Sequence, residues 1–394
     1  MTVDDINKKE CCGCSLCATV CVKRCITMTP DAEGFLFPII NKDECINCGI
    51  CYKKCPVTKG VETNTDPYYF AAAISNKEDL FNSSSGGIFI ALAKHILKLG
   101  GYVCGCVWDE NMKATHICSN NISDIYRMMG SKYVQSTIET VLPDVKRLIN
   151  SGNIVLFTGT ACQIAAIKTL LPNADNLYLV DILCHGVPSP LFFSKYVKYL
   201  ENKHGGKLIN LEFRNKRKLG WGSEHRTYYE IEKNGSKKGY RPSLPAYFCA
   251  FFYGTNLRES CYNCKYAGEH RISDITIGDF WGYMSYYKRK FPEGLSIVSI
   301  NTNRGMSLFT SIRSSMSFCD EVPKDMAKGS NTNFYHPTPR YSSRNTFYSG
   351  IYDRDYKDYI WKIYLDKCTR KQFLVSLYGR FMPECIKKLR HALK

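Results

Sequence analysis

Long apolar runs are missing from this 394-residue chain, and none approaches the roughly 20 residues that a membrane-spanning helix requires. Its opening, MTVDDINKKE, is charged and has no apolar core, so no secretory signal is expected there. No GxGxxG follows a predicted strand, which weighs against a Rossmann-type nicotinamide site. Helix-turn-helix, zinc-finger and RRM patterns are absent too. Acidic residues are in short supply: 36 Asp and Glu face 53 Lys and Arg, a formal charge of +17. That excess would suit nucleic acid, but no reading motif accompanies it.

Cysteine, by contrast, is abundant and unevenly placed: ten of the 21 fall within the first 55 residues. Cys11, Cys14, Cys17 and Cys21 are spaced C-x2-C-x2-C-x3-C, and Cys45, Cys48, Cys51 and Cys55 repeat the pattern. Each of the second four lies 34 residues beyond its counterpart, so the run is an internal duplication. Two-residue gaps let three thiolates converge from one tight turn. The fourth cysteine of such a run ligates the other cluster of the pair. One [4Fe–4S] cluster is therefore assigned to Cys11, Cys14, Cys17 and Cys55, and the other to Cys45, Cys48, Cys51 and Cys21. Zinc is the rival, but two CxxC pairs would suffice for it, which leaves two triplets with trailing cysteines unexplained. Pro56 follows the second run as the motif prefers, whereas Val22 stands in the first. Cys12 and Cys25 fall outside the pattern and are read as small buried thiols.

Iron–sulfur thiolates argue against an oxidising compartment, so a reduced, cytoplasmic protein is expected. They also change the charge, because each oxidised cluster with four thiolates carries about −2. The remaining basic residues, concentrated in 195–241 and the C-terminus, suit an anionic small molecule or an acidic redox partner.

Residues 1–58 form the ferredoxin module, and the polar KGVETNTDP (59–67) reads as a linker. Beyond it helices and strands alternate. IFIALAKHILKLGG (88–101) carries a helical apolar face that a Gly pair stops. Strands are predicted at 102–109, 115–118, 153–159, 176–182, 208–214, 225–232, 274–280 and 295–301, and helices at 138–150 and 162–171. This predicts an α+β chain with a mixed sheet. The stretch 325–350 looks irregular, and the last 40 residues look like basic amphipathic helices.

Three stretches carry chemistry in the body. FNSSSGGIF (81–89) gathers serines and glycines at a helix start, where phosphate sits well, or where Ser84 or Ser85 makes an ordinary N-cap. FTGTACQ and DILCHG each follow a buried strand and place Cys162, and Cys184 with His185, at strand ends where α/β sheets collect ligands. The pair Cys261 and Cys264 in CYNC reads as half a zinc site, a redox pair or half a cluster. With Cys162 and Cys184 it makes four thiolates, enough for a third [4Fe–4S] centre.

The ordered set of a two-cluster ferredoxin, SSSGGIFIALAKHIL, GSKYVQS, VLFTGTACQIAA, VDILCHGVPSP, and CYNC before SDITIGDFWG resembles the coenzyme F420 hydrogenase/dehydrogenase β-subunit family over roughly 1–310. The resemblance implies domains at 67–150 (N-terminal type) and 151–310 (C-terminal type), with 311–394 a basic, partly helical tail. It implies FAD near Ser85, Gly86, Gly87, Ser131, Lys132 and Tyr133, with Lys132 balancing phosphate or ring charge. It makes Cys162, Cys184, Cys261 and Cys264 cluster ligands and His185 a proton donor or a hydrogen-bond partner of cluster sulfur. Asp279 and Trp281, in GDFWG, are read as structural, and Ala161 replaces the family's more frequent Pro.

The expected fold is thus a bacterial-type ferredoxin module fused to a mixed-sheet, flavin-binding body. The expected activity relays electrons between clusters and FAD, and on to a two-electron carrier such as F420. The expected partners are a redox protein or hydrogenase/dehydrogenase subunit and an anionic carrier, without nucleic acid or membrane span. Two other functions fit the same residues: an electron-transfer adapter with no substrate of its own, and a zinc-holding, non-catalytic protein.

Overall fold

A computed structural model describes residues 1–366 apart from 65, 223–225, 243–244 and 330. The helices expected in 367–394 lie outside the described residues.

The duplication seen in the cysteine spacing recurs in the backbone. Gly13 and Asn47 both have positive φ, as do Ser15 and Gly49, and the latter two open one-turn helices at Leu16–Thr19 and Ile50–Lys53. The left-handed residues turn the chain sharply between successive cysteines in both halves. Between the two halves runs an antiparallel hairpin of β1 (Ile26–Pro30) and β2 (Leu36–Ile40).

The body follows with β3 (Tyr68–Ile74), β4 (Tyr102–Trp108), β5 (Ala114–Ser119), β6 (Val155–Thr160) and β7 (Leu177–Ile182). Then come β8 (Lys207–Glu212), β9 (Tyr228–Lys233) and β10 (Ser236–Tyr240), a separate antiparallel sheet. The chain then returns through β11 (Ile275–Asp279), β12 (Ser296–Ile300) and β13 (Met316–Glu321). The main sheet has eight strands in the order β13-β3-β12-β11-β7-β6-β4-β5. Its centre, β4-β6-β7-β11, is parallel, and antiparallel strands flank it on both sides.

The central strands are covered on both faces, as parallel strands require. Val103, Leu156, Val180 and Ile275 meet the helices Ile88–Lys98 and Asn303–Ser311 on one face. Val155, Phe157, Leu177 and Leu179 meet Val141–Asn150 and Ala161–Leu170 on the other. A third, aromatic core joins the small sheet to helices Pro190–His204, Ala246–Phe252 and Tyr356–Leu365.

The expected division at 150/151 runs through the main sheet, in which β3 to β5 are interleaved with β6, β7 and β11 to β13. Two points depart from the sequence reading. Residues 311–366 are no tail: β13 is an edge strand of the main sheet, and Phe347, Tyr348, Tyr356 and Tyr359 are buried in the aromatic core. Against the expectation of a wholly reduced chain, Cys104 and Cys118, directly opposite on β4 and β5, are joined as a disulfide.

The ferredoxin module is seated on the body. Leu16 is buried in the core of helices Val141–Asn150 and Ala161–Leu170. Arg344 grips Glu33 with both terminal nitrogens, and Ser189 Oγ donates to the Glu33 carbonyl at 2.6 Å. The seat needs glycine at 13, where φ is +68° and an added Cβ would stand 2.6 Å from Gln135 Nε2 and 2.9 Å from the Leu36 carbonyl. Gly13→Ala is expected to lower stability by about 1–3 kcal/mol, read from the midpoint of urea unfolding. An unchanged midpoint would mean the joint is loose.

Candidate redox site

The parallel strands β6, β7 and β11 point their carboxyl ends at one cavity of about 660 Å³, within the range of small-molecule sites. β6 runs into Thr160 and Cys162, β7 into Cys184 and His185, and β11 into Asp279 and Trp281, and all six line the cavity. Ser85, Gly87, Ser131, Lys132 and Tyr133 line it as well. The two stretches expected at a flavin, around 85 and around 131, are tied together: Ser131 donates its backbone N–H and its hydroxyl to Ser84 Oγ, both at 2.9 Å.

The loop at 83–87 is not an ordinary serine cap. The N-cap of helix Ile88–Lys98 is Gly87, in the left-handed region, with no side-chain cap bond. Ser84 is engaged by Ser131, and Ser85 Oγ donates to the Leu295 carbonyl at 2.8 Å. The first-turn N–H groups of an eleven-residue helix thus face the cavity side without a side-chain cap, which suits phosphate oxygens. Lys216 fastens the loop from behind, its ammonium donating to the carbonyls of Leu80, Ser85 and Glu293. Gly86 does not line the cavity: it packs against β3 and β12, where a Cβ would meet the Ala72 carbonyl at 2.2 Å. Lys132 is neither solvated nor a free counter-charge. Its ammonium donates to the carbonyls of Arg127, Met129 and Gly130 at 3.0–3.2 Å, closing the end of helix Ile122–Met128, and burial pushes its pKa down.

Behind Tyr133 stands Arg214. Its guanidinium makes a bidentate pair with Asp279 at 2.9 and 3.0 Å and donates to the Tyr133 hydroxyl at 3.1 Å. Trp221 Nε1 donates to the same carboxylate at 2.8 Å, and its ring stacks on Trp281 at 4.9 Å. Asp279 and Trp281 therefore build the wall. Arg214 was not distinguishable within its basic run, because only the fold brings it to β11.

A second, smaller cavity of about 60 Å³ adjoins the first, with Cys12, Cys162, Cys184 and His185 in both walls. Cys261 and Cys264 complete its lining. The four thiols expected at a third cluster are thus brought together, and Cys12, read from sequence as spare, joins them against Cys162. Burial pushes the Cys184, Cys261 and Cys264 thiols above their ordinary range.

His185 holds its Nδ1 3.2 Å from Thr338 Oγ1, whose hydroxyl donates to the His185 carbonyl at 2.5 Å. The other ring nitrogen, Nε2, is enclosed in the cavity wall. Burial lowers its pKa, which favours the neutral ring.

In the ferredoxin module Cys17 lies within electrostatic reach of Cys11, Cys55 and Cys51, and Cys51 of Cys21, so the two cysteine runs lie close together. Cys25, buried, stands 3.5 Å from Cys21 and beside Cys45. Cys48 is exposed, so the second group faces outward. Among the described residues no three His, Cys, Asp or Glu side chains close on a single point as one bound ion would require. A cubane takes one thiolate at each of four irons and asks for a wider spread. The donor set, all soft thiols in CxxC spacing, fits iron–sulfur clusters.

His116, on β5 opposite Cys106, also lines the large cavity. Its Nε2 is 3.1 Å from the Thr158 carbonyl, and burial pulls its pKa down to about 4. Because the folded state holds this ring neutral, the unfolded chain binds the extra proton below pH 6.5. Stability is then lost as pH falls from about 6.5 to 4, by up to about 3 kcal/mol. His116→Gln should flatten that part of the profile, and a variant that tracks wild type would refute the assignment.

Comparison with known proteins places these features. Residues 152–323 match the family described as the C terminus of the coenzyme F420 hydrogenase/dehydrogenase beta subunit. Residues 38–57 match the 4Fe–4S binding domain. No curated protein matches the chain. Among solved structures, a chain of the F420-reducing [NiFe] hydrogenase complex from Methanosarcina barkeri is similar at 17% identity and a TM-score of 0.43, over 70% of this chain and 90% of that one. With thiols at the ends of β6 and β7 and a duplicated CxxC module in front, this chain carries the C-terminal region of the coenzyme F420 hydrogenase/dehydrogenase β-subunit family behind an N-terminal 4Fe–4S domain.

Proposed function

We propose that this chain is an iron–sulfur flavoprotein oxidoreductase in which electrons pass between clusters and FAD and on to an anionic two-electron carrier, such as coenzyme F420 or another reducible small molecule. The observation that carries this reading is the shared wall: one cavity is lined by a phosphate-friendly helix start and by cysteines at the ends of two parallel strands. When bound, the clusters supply one-electron chemistry and the flavin couples it to two-electron carriers.

The chain's own residues do the rest. Ser85, Gly87 and the first-turn N–H groups of helix Ile88–Lys98 receive the pyrophosphate, with Ser131 held alongside by Ser84. Tyr133, pinned between Arg214 and Phe251 (ring centroids 4.2 Å apart), forms a rigid wall with Trp281. Cys162, Cys184, Cys261 and Cys264 hold the inner cluster, and Cys12 lies against Cys162. His185 donates a proton or a hydrogen bond to cluster sulfur within the lining. Cys45, Cys48 and Cys51, with Cys21, hold the outermost cluster, where a redox protein or a hydrogenase/dehydrogenase subunit would deliver electrons. Among the described residues no helix is long and apolar enough to cross a membrane.

The test is anaerobic purification followed by iron, sulfide, zinc and flavin analysis. About twelve irons and one FAD per chain are expected from three [4Fe–4S] clusters. Eight irons with FAD would remove the inner cluster. Eight irons without flavin would favour an adapter that feeds a partner reductase, and zinc without colour would end the reading.

A further inference from the structure

The joint between the ferredoxin module and the body buries a positive charge that no carboxylate among the described residues pairs with. Arg258 is 1% exposed. Its Nε donates to the Cys11 carbonyl at 2.8 Å, Nη1 to Gln135 Oε1 at 3.1 Å and Nη2 to the Leu36 carbonyl at 3.0 Å. Gln135 in turn donates to the Cys12 carbonyl at 3.2 Å, and the guanidinium lies 4.0 Å from the Phe37 ring centre. Every one of these partners is neutral. Arg214, Arg271 and Arg344, the other arginines at the centre of the molecule, each hold a carboxylate: Asp279, Asp181 and Glu33. A buried cation with hydrogen bonds but no paired carboxylate favours negative charge developing close to it.

What surrounds it is thiols. Arg258 lines the smaller cavity together with Cys12, Cys162, Cys184, Cys261 and Cys264, and its charge reaches Cys162. On its other side it is bonded to the carbonyl of Cys11, the first cysteine of the ferredoxin run. A second donor waits at the same place. Tyr266 lines this cavity too, its hydroxyl is enclosed and without a partner, and it lies within electrostatic reach of Cys12, Cys162, Cys14 and Cys55. A fixed cation and an unused O–H thus sit between two sets of cysteines.

Resting on the cluster reading above, we propose that Arg258 and Tyr266 are positioning residues that raise the reduction potentials of the two clusters meeting at this joint. One of those clusters is held by Cys11, Cys14, Cys17 and Cys55, and the other by Cys162, Cys184, Cys261 and Cys264. Each cluster gains negative charge on reduction. A buried cation stabilises the more negative state, and a hydrogen bond to sulfur acts in the same direction. The outer cluster, on the far side of the module, is left to its own surroundings.

The test is a potentiometric titration followed by EPR on the full, anaerobically reconstituted chain, with iron counted first. Arg258→Met should lower the joint signals by at least the equivalent of a tenfold change in the reduction equilibrium, about 59 mV for one electron, and leave the outer signal in place. Arg258→Lys should recover most of that fall, and Tyr266→Phe should lower the same signals by less. Arg344→Met removes a buried arginine from the same module interface but away from the thiols, and should shift nothing. Midpoints that match wild type in iron-replete Arg258→Met and Tyr266→Phe would overturn the proposal. If Arg258→Met does not hold iron, Tyr266→Phe decides, since it removes only an unbonded hydroxyl. Wild-type protein with eight irons would sink the inner cluster itself, a separate failure that is visible before any variant is titrated.

Discussion

Replacing Cys264 by Ser is expected to take about four irons from a chain that otherwise binds about twelve, while flavin stays bound. Cys264 lies within reach of Cys162, and Cys184 within reach of both. Ser presents a hard, protonated oxygen where a soft thiolate is required, so the inner cluster should not survive. The flavin candidates Ser85 and Ser131 are held by bonds to Leu295 and Ser84, none of which passes through Cys264. Reduction of the flavin by a low-potential donor at the ferredoxin end should therefore cease while the flavin spectrum persists. Cys249→Ser supplies the comparison: that cysteine is buried in the aromatic core, and its replacement should leave iron unchanged. Unchanged iron in Cys264→Ser would reduce the body pair to a structural role.

The second large effect is on stability. Asp279→Ala should destabilise the chain by about 3–5 kcal/mol, because it strands the Arg214 guanidinium in a buried site. It also leaves Trp221 Nε1 without its acceptor. The Trp221–Trp281 stack and Tyr133 then lose their common anchor, so flavin affinity should fall in the same variant. Asp279→Asn, which keeps an oxygen for Trp221, should lose less. Combining Arg214→Met with Asp279→Leu should be better tolerated than either single change, since no charge is left unpaired. Additive losses in that cycle would show that the pair contributes little beyond its packing.

How much of this was legible in the sequence differs from residue to residue. The 4Fe–4S domain was readable because its cysteine spacing is a local signature. Cys162, Cys184 and His185 were readable because each follows a buried strand, and β6 and β7 are parallel neighbours. Ser84 was read only as a possible N-cap and Ser131 came from the family resemblance, and the bond between them spans 47 residues and has no local signature. β3 went unpredicted since YYFAAAI neither alternates nor carries a turn signal, being covered on both faces. β13 was hidden for the opposite reason, as a half-exposed edge strand with weak patterning. Cys12 looked surplus by spacing and is placed against Cys162 only by the docking of the whole module. Arg258 and Arg214 read as unremarkable basic residues until their surroundings closed.

The place of β3 between β12 and β13 has a consequence for how the molecule is made. β3 ends at Ile74, and its first neighbour, β12, begins at Ser296. At about 5–20 residues per second of synthesis, β3 waits roughly 10–45 seconds with both edges bare. Cys11 to Cys55 have all left the ribosome before β3 does, whereas Cys261 and Cys264 emerge near the end of that wait. On the ligand sets proposed above, the ferredoxin module would be loaded while the body is still open, and the inner centre only as the sheet closes. A cell short of chaperone capacity should then accumulate chains that hold iron at the ferredoxin module and lack it at the inner site.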